Sequence, residues 1–222
     1  MESSTYKLVY YDVRWEGEQI RLMFAYKEVE FEDIRIKLQL GAEDWPVPSQ
    51  LFDQIPKDIQ DKLLLEKLPL LELSNGKTIS GARACSLFVA KRFGLLGSDE
   101  FEEAKINEIL DASQDFSEAF YAIQLASTKE EKEKVSQNVV AVVTPKYMNL
   151  FNKLVEENSS GFMVGNQLSL ADLHVFNIVC TPDGKPARHV TDGRPGLEKL
   201  VDKVSQIPQI QKWLEARPKS IF

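Results

Sequence analysis

The sequence predicts a two-part fold, in which an α/β unit is followed by a unit built only from helices. Up to residue 93, short strand patterns and helix patterns follow one another in the order β-α-β, an irregular stretch, and then β-β-α. From residue 100 onward the pattern is helical throughout and rich in Glu and Lys. The turn-forming stretch Gly97-Ser98-Asp99 separates the two patterns, so we expect domains at 1–96 and 97–222.

Each element of the first unit follows from a local pattern. Apolar and polar residues alternate in the first two strands, and the helix between them has apolar residues at near-helical spacing. Asn75-Gly76 is a strong two-residue hairpin signal that joins the last two strands. The irregular stretch 39–67 contains three prolines. The predicted elements are strands at 6–11, 30–36, 67–73 and 77–79, and helices at 16–28, 57–66 and 82–93.

The second unit is predicted to consist of five helices. Ser169-Leu170-Ala171-Asp172 fits a capping box, in which the serine hydroxyl accepts from the first helical amides while the acid reaches back. This motif predicts the start of a core helix. The five helices are expected at 100–125, 129–157, 170–180, 195–205 and 208–216.

Composition excludes several classes of function. The 222 residues are 43% hydrophobic and 27% charged, which is typical of a soluble globular protein. A net charge of −7 without a basic run disfavours nucleic-acid binding. No apolar stretch reaches membrane-spanning length, and the N-terminus lacks the pattern of a secretory signal, so a cytoplasmic protein is expected. Cys85 and Cys180 have no metal-ligand spacing, so we expect reduced core thiols and no metal site.

Motifs of one family recur in order along nearly the whole chain. They are Tyr6-Lys7-Leu8-Val9-Tyr10-Tyr11, Gly17-Glu18 with Arg21, Phe24-Ala25-Tyr26, Phe31-Glu32-Asp33, Asp44-Trp45-Pro46, Leu68-Pro69-Leu70-Leu71-Glu72, Ala90-Lys91-Arg92-Phe93-Gly94-Leu95, Val164-Gly165-Asn166-Gln167-Leu168-Ser169-Leu170-Ala171-Asp172-Leu173, and Arg217-Pro218. With this order and spacing, the chain resembles a cytosolic glutathione transferase of the sigma class, the group that includes hematopoietic prostaglandin D synthase and the lens S-crystallins.

The resemblance implies a glutathione transferase fold, with a thioredoxin-like N-terminal domain and an all-helical C-terminal domain. It implies a homodimer, with each active site between the domains and near the partner subunit. Glutathione would be the cosubstrate, and a small hydrophobic electrophile or apolar ligand would bind beside it. The resemblance also implies that Pro69 is cis and that the Leu68 backbone pairs with the cysteinyl part of glutathione.

The chemistry that the resemblance implies centres on Tyr10. The thiolate of glutathione is the nucleophile, and a free thiol with a pKa near 8.5 is only slightly ionised at neutral pH. In the family, a tyrosine that matches Tyr10 donates to the sulfur and so favours the thiolate; Tyr11 matches the aromatic residue after it. A strand tyrosine by itself more often packs in a core, so this role depends on the surrounding match.

The glutathione-binding residues are where the chain departs from the family. Trp45, Leu68 and Pro69 are retained. The Gln-Ser pair that holds the γ-glutamyl carboxylate at a helix N-terminus falls on Gly81-Ala82, with Ser80 nearby as a substitute only if the loop shifts. The other three departures, an arginine, a lysine and a carboxylate from the neighbouring subunit, fall on Glu16, Ser49 and Asn107, with Asp111 one turn beyond Asn107.

These departures predict that glutathione binding is weakened about a hundredfold or more. The segment from Pro46 to Leu68 is also longer than in the family, and it either packs on its own domain as a helix or covers the site. Two functions therefore stay open: a transferase that conjugates glutathione to small electrophiles, and a non-catalytic ligand-binding or crystallin-like structural protein. Prostaglandin isomerase activity is implied by the resemblance alone.

Overall fold

The N-terminal unit is built on a four-stranded mixed sheet. The computed structural model describes residues 6–38 and 48–219, with side chains from Leu51 onward in the second range. The strand order is β2-β1-β3-β4, where β1 and β2 are parallel and the other two pairings are antiparallel. The strands are β1 (Tyr6–Tyr11), β2 (Phe31–Ile36), β3 (Leu70–Glu72) and β4 (Thr78–Ser80).

The crossover from β1 to β2 is helix α1 (Trp15–Tyr26). Parallel strands need such a crossover, and α1 packs its buried face, including Phe24, into the main core. The helix predicted at 16–28 ends two residues early, because Glu28 has a φ of 50° that a helix cannot continue. The strand predicted at 67–73 pairs only over β3, since Pro69 before it has no N–H to donate.

The irregular stretch contains two short helices, α2 (Pro48–Asp53) and α3 (Lys57–Gln60). The sequence did not predict α2, and the helix predicted at 57–66 was too long. Beyond Gln60, the chain bends toward the hairpin, where Lys62 pairs with Glu72 at 2.7 Å and the Leu64 N–H donates to Ser80 Oγ at 3.1 Å. These tertiary contacts replace the helical hydrogen bonds that the local pattern predicted.

The remaining helices agree closely with prediction. They are α4 (Ala82–Phe93), α5 (Glu100–Leu125), α6 (Lys129–Asn138), α7 (Thr144–Glu157), α8 (Leu170–Val179), α9 (Arg188–Thr191), α10 (Pro195–Ser205) and α11 (Pro208–Ala216). Asp99 caps α5 through hydrogen bonds to two backbone amides, and the predicted capping box begins α8. A π-helical turn at Val139–Val143 interrupts the helix predicted at 129–157, and α9 was not predicted.

One hydrophobic core runs through both units. It includes Phe24 of α1, Phe151 of α7 and Phe176 of α8, all fully buried. Side chains from α1 thus pack against α8 and α11 across the predicted domain boundary, while a second, smaller cluster lies at the end of β1. The division at 96/97 stays a prediction. No helix within the described ranges is long and apolar enough to cross a membrane.

Candidate functional site

Tyr10 lies near the C-terminal end of β1, with 3% of its surface exposed. Its ring packs against Gly17 of α1, where an added Cβ would lie 2.4 Å from Tyr10 Cδ1. Only glycine therefore fits against this face of the ring. The Arg21 guanidinium lies 5.9 Å from the ring centroid. Because α1 follows β1 after a short turn, the beginning of this helix fixes the position of the tyrosine.

The Tyr10 hydroxyl is held in its neutral form. Burial raises the pKa of this hydroxyl well above its usual value, and the nearby groups of Glu16 and Tyr121 raise it further. A hydrogen bond from the Glu16 backbone and the charge of Arg21 lower the pKa, but by less. The hydroxyl therefore keeps its proton near neutral pH. It can donate a hydrogen bond to an anion such as a thiolate.

Tyr11 has a different environment from Tyr10. Its hydroxyl donates to the backbone carbonyl of Leu51 at 3.0 Å, and burial raises the pKa of this hydroxyl to about 12. The rings of Tyr10 and Tyr11 meet edge to face with centroids 5.5 Å apart. The two tyrosine hydroxyls therefore differ in their partners. The Tyr11 hydroxyl anchors α2, whereas the Tyr10 hydroxyl donates to no side chain that the structure describes.

Glu16 lies beside the Tyr10 hydroxyl, at the position where the resemblance implies an arginine. Burial raises the pKa of its half-buried carboxyl, and the positive charge of Lys67 opposes that rise. Tyr121 of α5 completes the group, because the same carboxylate raises the Tyr121 pKa, although burial contributes more. Sequence reasoning missed Tyr121 and Lys67; the adjacency of Lys67 to Leu68-Pro69 was the only local signal for either residue.

The Leu68–Pro69 peptide bond is cis, as the resemblance implied. Leu68 is buried in the same small cluster as Tyr10. The Pro69 carbonyl accepts from the Gly81 N–H at 2.9 Å, which ties this turn to the beginning of α4. The turn, the end of β1 and the N-terminus of α4 are therefore neighbours, and the structure brings Tyr10, Leu68, Pro69, Gly81 and Ala82 into one region.

The N-terminus of α4 has no side-chain ligand of its own. Gly81 has a φ of 94°, which other residues rarely adopt, and no side chain caps the helix. Ala82 offers only a methyl group. Ser80, the candidate substitute, accepts from the Leu64 N–H, so its hydroxyl is held by the long segment as an acceptor and keeps its own O–H as a donor. The helix amides remain as the anion-binding groups here.

Asn107 lies across from Arg83 of α4, to which it is hydrogen-bonded at 3.0 Å. Arg83 also pairs with Asp111 at 2.7 Å, and both members of this pair are exposed to solvent. Trp45 lies outside the described residues, and so does the side chain of Ser49. The structure therefore does not place the predicted ligand Trp45, nor the side chain that stands where the family has a lysine.

The long segment, which runs from Pro46 to Leu68, was expected either to pack on its own domain or to cover the site, and its described part does some of each. Ile55 and Ile59 are buried with Tyr10 and Leu68 in the small cluster, so the segment packs on its own unit. Leu51, Phe52 and Leu63 pack against the same cluster and cover one side of it. A cavity of about 30 Å³ is lined by residues within 94–98, 102 and 164–169. A second cavity, of about 700 Å³, is lined by residues within 155–161 and 195–203. Tyr10 lines neither of these two cavities. No group of metal-ligating side chains occurs in the described part of the chain.

Comparison with known proteins identifies the class to which this fold and site belong. The family described as Glutathione S-transferase, C-terminal domain matches residues 114–217. Glutathione S-transferase 1 of Ascaris suum is 30% identical over 220 residues, with 98% of each chain covered. The chain therefore belongs to the glutathione S-transferase family.

Solved structures agree with this assignment. A monomeric glutathione S-transferase, Na-GST-3 of the hookworm Necator americanus, is 29% identical, with a TM-score of 0.78 and with 98% of this chain and 100% of that one covered. Prostaglandin synthase D of Nilaparvata lugens is also 29% identical, with a TM-score of 0.79 and with 97% and 100% covered. The predicted glutathione transferase fold is thereby confirmed.

Proposed function

We propose that this protein is a sigma-like transferase that conjugates glutathione to small electrophiles and binds glutathione weakly. The observation that carries the proposal is the neutral, buried Tyr10 hydroxyl close to the cis Leu68–Pro69 turn. Relatives named glutathione S-transferase over the full chain length support glutathione as the cosubstrate. The prostaglandin synthase D of Nilaparvata lugens supports the sigma-like placement.

Tyr10 acts in this proposal as the stabiliser of the glutathione thiolate. A hydrogen bond to a charged group contributes roughly 1.5–3 kcal/mol, which lowers a thiol pKa by about one to two units. The donor must stay protonated while the thiol ionises, and the raised pKa of the Tyr10 hydroxyl meets that condition. The thiolate then attacks the electrophile, and the cis turn at Leu68–Pro69 pairs with the cysteinyl backbone.

Weak binding follows from the γ-glutamyl end of the site. Gly81 and Ala82 carry no hydrogen-bonding side chain, and no side chain caps the helix that begins there. Glu16 adds negative charge beside a cosubstrate that has two carboxylates.

The same proposal includes a homodimer and the domain division at 1–96 and 97–222.

Retention on immobilised glutathione, with elution by the free tripeptide, tests the binding half of the proposal. We expect retention at low salt that is weaker than that of a transferase with the intact Gln-Ser pair. Turnover of glutathione with a chlorodinitrobenzene tests the catalytic half. A protein that neither binds the resin nor conjugates the aromatic electrophile would contradict the proposal.

A second candidate is a non-catalytic protein that binds apolar ligands or serves a structural role. The packing of Leu51, Phe52 and Leu63 against the cluster around Tyr10 favours it, because this segment covers one side of the site. This candidate predicts no conjugation at any glutathione concentration, together with saturable binding of an apolar fluorescent dye. Turnover that saturates with glutathione excludes it.

A further inference from the structure

A half-buried carboxylate, that of Glu16, lies beside the Tyr10 hydroxyl. Glu16 is the second residue of α1, and its half-buried carboxylate forms no ion pair or hydrogen bond with any other residue that the structure describes. Its titratable neighbours come from three other parts of the fold: Tyr10 of β1, Lys67 before β3 and Tyr121 of α5. A half-buried acid with a raised pKa among such neighbours is a candidate functional residue.

The backbone holds this carboxylate in place. Trp15, immediately before Glu16, has a φ of 28°, a strained conformation for a large side chain. Asn177 of α8 donates from Nδ2 to the Trp15 carbonyl at 2.6 Å, so a helix of the second unit fixes this backbone. The next residue, Gly17, packs directly on the Tyr10 ring. Glu16 is thus fixed between two residues that are themselves held rigidly.

The position places Glu16 next to the reacting sulfur. A thiol that accepts a hydrogen bond from the Tyr10 hydroxyl lies near the N-terminus of α1, because the Glu16 backbone is hydrogen-bonded to the same hydroxyl. An ionised carboxylate there opposes the formation of a free thiolate, since two negative charges would meet in a partly buried site. The conflict disappears if the carboxylate takes the thiol proton.

We propose that Glu16 is a second catalytic residue, a general base that accepts the glutathione thiol proton and so generates the thiolate that attacks the electrophile. The proposal rests on the transferase function proposed above. The S–H bond breaks and its proton passes to the Glu16 carboxylate. The sulfur keeps the electron pair as a thiolate that accepts a hydrogen bond from Tyr10, and this thiolate then forms the S–C bond. The negative charge at the site stays at one, so no thiolate accumulates beside an ionised acid.

This arrangement favours electrophiles that need the proton back, namely α,β-unsaturated carbonyl compounds. The thiol adds to the β-carbon, and the π-electron pair moves to form an enolate. Glu16 then returns the proton to the α-carbon, so no leaving group and no further reactant is required. Tyr121, which faces the same carboxylate from α5, is placed to donate to the enolate oxygen.

Burial assists the base in this role. It raises the pKa of Glu16, and a carboxylate with a higher pKa binds the thiol proton more tightly. The positive charge of Lys67 opposes that rise. Activity should therefore increase with pH through the Glu16 pKa, giving an acidic limb in the pH–rate profile.

The test compares wild type, Glu16→Gln, Glu16→Asp and the matched control Glu30→Gln in the addition of glutathione to 2-cyclohexenone. We expect Glu16→Gln to lose about 100-fold in kcat/KM and to lose the acidic limb. Glu16→Asp should keep the limb at reduced rate, and Glu30→Gln should match wild type, because Glu30 is exposed and outside the site. Calorimetry should show that glutathione binds Glu16→Gln as tightly as wild type or more tightly.

Each outcome decides between the two proposals. A wild type that adds no glutathione to the enone overturns the transferase function together with this inference. A wild type that is active while Glu16→Gln keeps its rate and acidic limb overturns the role of Glu16 alone. If Glu16→Gln fails to fold, the Glu16→Asp profile decides: an unchanged rate across the acidic limb contradicts the general base.

Discussion

At the residue scale, neighbours rather than residue type distinguish the two adjacent tyrosines of β1. Tyr11 is a structural donor to Leu51 of α2, whereas Tyr10 lies against Gly17 with Glu16 at its hydroxyl. Both rings lie in the same small cluster and meet edge to face, but their hydroxyl groups have different surroundings. The Tyr10 hydroxyl lies at the beginning of α1, and the Tyr11 hydroxyl lies at α2.

Replacing Tyr10 by Phe removes the proposed hydrogen bond to the thiolate. We expect kcat/KM for glutathione conjugation at neutral pH to fall about 10- to 100-fold, because a hydrogen bond to a charged group is worth roughly 1.5–3 kcal/mol. The pH–rate profile should shift upward, since the bound thiol becomes less acidic. Steady-state rates across pH measure both effects, and an unchanged rate and profile would remove Tyr10 as the donor.

Tyr11→Phe is the matched control, and its effect should be on stability. It removes the hydrogen bond to the Leu51 carbonyl, so we expect the free energy of unfolding to fall by about 0.5–1.5 kcal/mol. Conjugation rates should remain close to those of wild type. A loss of rate equal to that of Tyr10→Phe would show that the anchoring of α2 itself governs the site.

Ala82→Ser restores one missing glutathione ligand at the N-terminus of α4. The serine hydroxyl would reach the γ-glutamyl carboxylate beside the helix amides, so we expect glutathione to bind about tenfold more tightly. Ala84→Ser, on the exposed face of the same helix, is the control and should bind as wild type does. Calorimetric titration compares the three. Equal affinities would mean that the γ-glutamyl group does not bind at this helix end. Gly81 is left unchanged because its φ of 94° would strain any larger residue.

At the element scale, a buried polar junction joins helices of both units. His174 of α8 donates from Nδ1 to the side-chain carbonyl of Gln19 on α1, and Gln19 donates to Ser86 Oγ of α4 at 2.8 Å. Burial, and then the charge of Arg83, lower the His174 pKa from 6.5 to about 4. The imidazole is therefore neutral in the folded protein under ordinary conditions, and its protonation at Nε2 would place a positive charge in a buried position near Arg83.

The pH dependence of stability follows from this shift. The unfolded chain binds a proton at His174 below about pH 6.5 and the folded protein does not until about pH 4, so stability should fall as pH drops through that window. We expect about 3 kcal/mol of the loss to depend on His174, because each pKa unit corresponds to about 1.4 kcal/mol. Denaturant unfolding at several pH values should show a shallower slope for His174→Gln. The other histidine supplies the control: His189→Gln, at an exposed position, should keep the wild-type slope. Parallel slopes for all three proteins would contradict the assignment.

At the scale of the whole molecule, the C-terminal helix is locked onto α1 by a buried charge network. Trp213 donates to Glu18 at 2.8 Å, and Arg217 forms an ion pair with the same carboxylate. These partners lower the Glu18 pKa although burial opposes them. Arg21 binds the other Glu18 oxygen and continues to Asp33 of β2. The site at the end of β1 is therefore supported from both units at once.

The predicted homodimer can be tested at an exposed apolar pair. Leu64 and Leu65 are 86% and 64% exposed and lie beside the beginning of α4, where a second copy would approach the site. We expect wild type to sediment as a dimer at micromolar concentration, and Leu64→Ser with Leu65→Ser to shift it toward monomer.

Val140→Ser with Val142→Ser, at exposed valines of the π-helical turn, is the control and should stay dimeric. The hookworm relative Na-GST-3 is described as monomeric, so the measurement compares a dimer with a monomer. A wild type that sediments as a monomer would contradict the homodimer. A dimer that survives the loss of both leucines would place its interface elsewhere.

The sequence alone determined most of the elements and the glutathione S-transferase family. The Asn75-Gly76 turn, the capping box at Ser169 and the helices ending at Phe93, Leu125 and Ala216 depend on neighbouring residues, so local patterns were sufficient. The motifs around Tyr10 and Pro69 identified the fold because order and spacing are properties of the chain itself.

Only the tertiary structure decided what surrounds Tyr10. Tyr121 and Lys67 reach the site from distant parts of the chain, the hydroxyl of Ser80 is engaged by the long segment, and α3 ends early because contacts with the hairpin replace its helical bonds. Such contacts depend on how elements pack, and residue spacing carries no record of them. The pKa values of Tyr10 and Glu16 likewise follow from burial, which arises only when β1, α1 and α5 come together.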